Sequence, residues 1–146
     1  MKLEHHIAIS VPVSLGVFYF TKSIFYFLFS LAIGILLDTD HIFDYIAEEK
    51  KFDLKHMFIK SYLGDFKKIY LFLHAYEYVP VAFFLGYYFN NMTFALVFSV
   101  SYLFHLIPDQ FFNRTKPLGY FLIYRILVKF EMKKIFDVPP GGIHKI

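Results

Sequence analysis

Apolar residues run almost unbroken through four stretches of this chain, residues 7–20, 23–37, 69–89 and 93–107. Stretches of that length without a charged face read as helices surrounded by apolar material. Two short polar breaks, Thr21-Lys22 and Asn90-Asn91, join them in pairs. The pattern therefore predicts an all-α integral membrane fold made of two helical hairpins. The helices are short: fifteen residues rise about 22 Å, against a hydrocarbon core of about 30 Å. Such hairpins either thin the bilayer or enter and leave it on one side. Between the pairs, residues 46–68 mix charge with Phe52, Leu54, Phe58, Ile59, Tyr62, Leu63 and Phe66 at near-helical spacing. That spacing predicts an amphipathic helix lying in the membrane interface. Residues 118–136 begin apolar but carry Arg125, Lys129, Lys133 and Lys134, and are read as lying on the membrane. Pro139-Pro140-Gly141-Gly142 reads as a flexible tail.

The two hairpins look like copies of each other, at about 5–44 and 69–113. His6 is followed five residues later by Val11-Pro12-Val13, and His74 five residues later by Val79-Pro80-Val81. The outgoing helices end in Asp40-His41-Ile42-Phe43-Asp44 and Asp109-Gln110-Phe111-Phe112-Asn113. Duplicated hairpins are a known way to build a site at a repeat interface. The pairing favours His6 over His5 and Asp40 over Asp38 as core positions.

Composition agrees with a membrane. The chain has 146 residues, 58% of them hydrophobic, with 21 Phe and 12 Tyr, so it reads as a single membrane-embedded domain, 1–146. Its mean hydropathy is +0.50. The absence of Cys excludes disulfides and thiolate metal sites. A net charge of +3 gives no reason to expect nucleic acid. Residues 7–20 lack a small-residue cleavage site and are read as a retained helix. Of the basic residues only Lys22 lies at the hairpin tips. The positive-inside rule then makes this a multi-pass cell (inner) membrane protein with both termini and the opposite, polar face cytoplasmic.

On that face the metal-binding residue types gather. His6, Asp38, Asp40, His74, His105 and Asp109 are the expected ligands. His105 and Asp109 are four apart, as are Asp40 and Asp44, while His74 and Glu77 are three apart, so each pair would share a helix face. Mixed imidazole and carboxylate suits Zn first, with Mn or Fe as alternatives, and the number of donors suits one or two ions. Two ions would clamp a phosphoryl oxygen and activate water. Glu77, His41 and Asp44 are the candidate catalytic acid–base groups, and Lys55, Arg114 or Lys116 could hold an anionic head group. The histidines His5, His56 and His144 read as solvated, and the Phe and Tyr stripes as lipid contact. Ionisable residues at membrane depth are costly and tend to be functional.

At these residues the chain resembles the membrane-bound metal-dependent hydrolases, the YdjM-like, LexA-binding inner-membrane family. The likeness runs over roughly residues 5–113 and rests on His6, Asp38-Thr39-Asp40-His41, His74 and His105-Leu106-Ile107-Pro108-Asp109. Where many members carry His-Arg-x-x-Thr-His-Ser, this chain has Tyr70-Leu71-Phe72-Leu73-His74-Ala75-Tyr76-Glu77. The His-x3-Asp pair also bears a fainter resemblance to the zinc-dependent phospholipase C family. The resemblance implies a hydrolase and nudges the expected substrate towards a phosphoester, including that of a lipid. The alternative is a non-enzymatic membrane protein with a structural or sensory metal site and a cytoplasmic protein partner.

Overall fold

The computed structural model describes residues 3–137, and among these it is all-helical. Its helices are α1 (Leu3–Thr21), α2 (Ile24–Leu36), α3 (Asp40–Glu49), α4 (Leu54–Leu63), α5 (Tyr78–Tyr88), α6 (Met92–Phe112), α7 (Leu122–Leu127) and α8 (Met132–Ile135). A 3-10 turn, Leu37–Thr39, separates α2 from α3. The Pro-Pro-Gly-Gly tail lies outside the described residues. The chain divides into two compact units, Met1–Leu37 with Tyr76–Pro108 and Asp38–Ala75 with Asp109–Ile146.

The first unit holds the two expected hairpins, and both turns form where the polar breaks stand. Lys22 (φ 52°) and Asn90 (φ 52°) each take the left-handed conformation. Each is followed by a capping side chain: Ser23 accepts from the Tyr26 amide (3.5 Å) and Asn91 from the Phe94 amide (3.1 Å). The repeat thus extends to the turn chemistry. The helices meet through small residues. Ser10 and Ser14 on α1, Ser30 and Gly34 on α2, Ala82 and Gly86 on α5, and Ala95 and Ser99 on α6 are all buried, each pair one turn apart. Small residues at that spacing let helix backbones approach closely, as in lipid. Ser30 accepts hydrogen bonds from Ser14 (3.0 Å) and Ser101 (2.7 Å), joining α1, α2 and α6.

The large apolar side chains point the other way. Phe20 is 84% exposed, Tyr87 81% and Phe104 53%, a distribution that water would penalise. Two helical stretches are long and apolar enough to cross a membrane, Ile24–Glu49 and Met92–Phe112. Only 17% of the apolar window in the first is buried inside the protein, unlike the core helix of a soluble domain.

The close approach of α1 and α2 makes Gly34 sensitive. A Cβ there would overlap Ser10 Oγ and come within 2.6 Å of Ser10 Cβ. Gly34→Ala is expected to cost about 1–3 kcal/mol through overpacking. Adding Ser10→Gly should recover most of the loss, as read by denaturant unfolding in detergent.

The structure corrects two expectations. The third apolar stretch is not one helix: residues 69–77 are irregular and α5 begins only at Tyr78. Residues 46–68 contain the end of α3 and the separate ten-residue α4, not one continuous helix. Residues 118–136 fold into α7 and α8 around a turn in which Lys129 (φ 57°) and Phe130 (φ 58°) are both left-handed, and Arg125 is fully buried. Two isolated bridges, Lys68 with Glu131 and Thr115 with Phe136, tie these pieces together.

Tyr45, Met57 and Phe66 form the apolar cluster between α3 and α4, with Ile42 packed against it. Beside it the buried Lys60 ammonium bonds Glu48 (2.9 Å) and Glu49. Burial opposes the charge, but the two glutamates outweigh it and hold Lys60 above the usual lysine value. A raised pKa contributes stability that is complete below the unfolded lysine value and disappears as pH climbs through the folded one. The stability difference between the protein and Lys60→Met should therefore stay level through neutral pH. It should shrink in acid, as Glu48 and Glu49 take up protons, and in alkali beyond the ordinary lysine range, in unfolding measured against pH.

Candidate metal centre

The second unit builds its polar centre from α3 outward. Asp40 and Asp44 lie one turn apart on α3, both buried, as the spacing predicts. Their carboxylates hold the irregular segment that follows. Asp44 accepts the amides of Tyr70 (2.6 Å) and Leu71 (3.3 Å), and Asp40 accepts that of Leu73 (3.1 Å). The Ile69 amide goes to the Phe130 carbonyl (2.9 Å) and the His74 amide to that of Leu71 (2.9 Å). Buried amides must find acceptors, and here those acceptors fix a non-helical path. The path includes Leu71 at φ 46°, a conformation unfavourable for a leucine, in a fully buried position.

This segment delivers His74 to the middle of a carboxylate ring. His74 is fully buried. Its Nδ1 lies 2.9 Å from Asp40 Oδ2, a hydrogen-bond length. Its Nε2 lies 3.4 Å from Asp38 Oδ1 and 3.5 Å from Asp109 Oδ2. Bonds of about 2.0–2.1 Å in a tetrahedron put neighbouring donor atoms about 3.3 Å apart, so these longer separations suit the edges of a metal's ligand shell. A carboxylate on one imidazole nitrogen, with other donors facing the second, is how metal-binding histidines are held. Burial alone would lower the His74 pKa. The Asp40 charge, with bonds to Asp109, Asp38 and Asp40, outweighs it and holds the imidazole well above its usual value. The ring of acids thus demands a positive charge, which a proton on His74 or a cation can supply.

One ligand atom each of Asp38, His41 and His74 lies within 4.8 Å of the others, so this His/Asp group could hold a metal ion. The His41 and His74 rings are 5.8 Å apart. Asp40 Oδ1 and His41 Nδ1 are buried and make no hydrogen bond among the described residues. Buried polar atoms without partners point to a missing ligand or water. The donor set is imidazole and carboxylate with no thiolate, which fits Zn, Mn or Fe. Tyr120, which the sequence does not single out, completes the wall. It is fully buried, its ring lies 5.6 Å from that of His74, and burial with the nearby Asp109 charge raises its hydroxyl pKa.

The first unit holds the remaining two expected ligands. His6 and His105 are buried and stacked at 4.2 Å, with planes 22° apart. His105 Nδ1 lies 3.0 Å from the Gly34 carbonyl. In a neutral ring that bond requires the proton on Nδ1 and leaves Nε2 as the acceptor, the tautomer a metal ligand needs. Helix α6 continues unbroken to Phe112, so His105 and Asp109 stand one turn apart on one helix.

Several sequence assignments change. The pairing of His74 with Glu77 on a helix face does not exist, because His74 precedes α5 and Glu77 is that helix's N-cap. The repeat favours Asp40 over Asp38, yet Asp38 is the carboxylate in the compact ligand group while one oxygen of Asp40 is taken by His74. Each Asp44 oxygen accepts a backbone amide, so this carboxylate also holds residues 70–71 in place. The Lys116 ammonium donates to the Lys133 carbonyl (2.7 Å). No protein-family model, curated protein or solved structure matches this chain.

Proposed function

We propose that this chain is an integral membrane hydrolase whose divalent metal site acts on a phosphoester, in the first instance that of a lipid head group. The observation that carries the reading is the His74 arrangement: Asp40 on Nδ1 at 2.9 Å, with Asp38 and Asp109 facing Nε2 at 3.4 and 3.5 Å. Asp38, His74 and Asp109 would hold the ion, with His41 as a fourth donor and Asp40 orienting His74. His105 and His6 join this assignment on sequence grounds, from the one-turn spacing of His105 and Asp109 and from the repeat. When bound, a Zn, Mn or Fe ion acts as a Lewis acid towards a phosphoryl oxygen and makes water nucleophilic at neutral pH.

The protein groups have separable tasks. Asp40 keeps the His74 proton on Nδ1, so that Nε2 presents a lone pair. Tyr120, with its proton firmly held, can donate a hydrogen bond to an anionic oxygen. The exposed aromatic shell, the small-residue helix contacts and the two long apolar helices support a multi-pass inner-membrane location, with four helices in two hairpins. The distribution of lysine and arginine supports a cytoplasmic site.

The test is elemental analysis of the detergent-purified protein, followed by turnover on a phosphoester panel that includes phospholipids. Stoichiometric Zn, Mn or Fe with turnover supports the reading. Stoichiometric metal without turnover favours a structural or sensory site that serves a cytoplasmic partner. No metal after reconstitution overturns both.

A further inference from the structure

Helix α4 and the residues leading into it carry an apolar face that the protein leaves uncovered. Phe52 is 60% exposed, Leu54 53%, Phe58 57% and Ile59 43%, while Met57 is buried in the cluster with Tyr45 and Phe66. Exposed aromatic and aliphatic side chains gathered on one short helix mark an interaction surface. What covers this one is indicated by charge. Lys50, Lys51 and Lys55 are exposed around it, and among the described residues none of them forms an ion pair. The neighbouring acids are committed elsewhere. Glu48 and Glu49 bond the buried Lys60, Glu48 also accepts the Lys67 amide (2.9 Å), and Asp53 caps α4 through the His56 amide (3.0 Å). The inward Lys60 offsets one of the two glutamate charges, Lys51 lies within electrostatic reach of Glu49 and Asp53, and Lys50, Lys51 and Lys55 all face outward without a direct ion pair among the described residues. Aromatic and aliphatic side chains flanked by such lysines suit the head-group level of an anionic bilayer.

We infer that α4 is an interfacial lipid-recognition element that dips into the bilayer beside the protein and selects anionic head groups. This rests on the membrane reading given above, and it names a surface distinct from the metal-binding residues. The lipid class follows from the charge. A basic residue near an anionic surface contributes about 1 kcal/mol, so three lysines shift the partition of α4 into an anionic bilayer by roughly a hundredfold.

The chain contains no Trp, so Phe58→Trp makes a single fluorescent reporter on this face. The full-length variant is reconstituted into nanodiscs with brominated acyl chains, of phosphatidylcholine alone or of phosphatidylcholine with phosphatidylglycerol. In the anionic discs the emission should be blue-shifted and quenched. In the zwitterionic discs, or in anionic discs with Lys50→Gln, Lys51→Gln and Lys55→Gln together, it should move back towards the water value. Equal quenching in both lipids overturns the selectivity. Emission from water in every disc overturns the inference and points to a protein partner for this face. A second reporter, Phe104→Trp on α6, separates the two levels of the argument. If it is quenched in both lipids, the membrane reading stands whatever α4 does. If it is quenched in neither, the membrane reading falls and this inference falls with it.

Discussion

His74→Ala purified from a membrane in detergent should contain no stoichiometric metal and should hydrolyse no phosphoester, while still inserting. The imidazole lies within 3.5 Å of Asp38, Asp40 and Asp109, so its loss removes a candidate ligand and a partner that these three acids share. The neighbouring aspartates should grade the effect. Asp40→Asn keeps an oxygen for the Leu73 amide but changes what His74 Nδ1 meets. Loss of such an orienting carboxylate costs about 10–100-fold in metal affinity. Asp38→Asn, which removes a charge from the ligand group itself, should cost more than that. Metal titration of the three variants reads the order directly. Equal loss in Asp40→Asn and Asp38→Asn would mean that both carboxylates touch the ion and that the Asp40–His74 bond has no separate role. Wild-type metal content in His74→Ala would remove the site from this position.

Asp44→Ala should be the most destabilising single change in the second unit. Its carboxylate satisfies two amides in the stretch that also holds Leu71 in an unfavourable conformation. An unsatisfied buried donor costs about 1–3 kcal/mol, so losing both acceptors amounts to about 2–6 kcal/mol. The segment that carries His74 should then loosen, and hydrogen exchange at Tyr70 and Leu71 should accelerate together with the loss of metal. Asp44→Asn offers one carbonyl oxygen and should recover part of the stability. A folded, metal-replete Asp44→Asn protein with no activity would instead restore the catalytic role that the sequence suggested for this residue.

The punctuation of the chain was legible because it is local. Thr21-Lys22 and Asn90-Asn91 interrupt apolar runs, and a left-handed residue followed by a capping side chain is what such interruptions build. The candidate donor types were legible too, since imidazole and carboxylate recur at the same end of all four apolar stretches. The small-residue faces could have been read from their spacing: Ser14 and Ala82 stand 68 apart and Ser30 and Ser99 stand 69 apart, echoing the repeat. Large Phe and Tyr side chains between them hide the stripe from a search for glycine.

The repeat misleads where its two copies fold differently. His6 lies within α1, whereas its counterpart His74 lies in the irregular segment before α5. The difference comes from contacts remote in sequence. The Asp44 and Asp40 carboxylates and the Phe130 carbonyl capture amides 26 to 61 residues away. No local pattern records such captures, and an apolar run such as residues 69–77 still reads as helix. For the same reason Tyr120 gives no sequence signal, being defined only by the ring it faces. The sequence by itself determined the helical hairpins, the side chains available for a metal and the end of each apolar stretch where they stand, because these depend on neighbours within a few residues. Only the tertiary structure decided that Asp38 joins a His/Asp group that could hold a metal ion, while Asp40 bonds His74 and Asp44 accepts two backbone amides. That division depends on which buried amide or imidazole each carboxylate meets, and on the cost of leaving any of them unpaired.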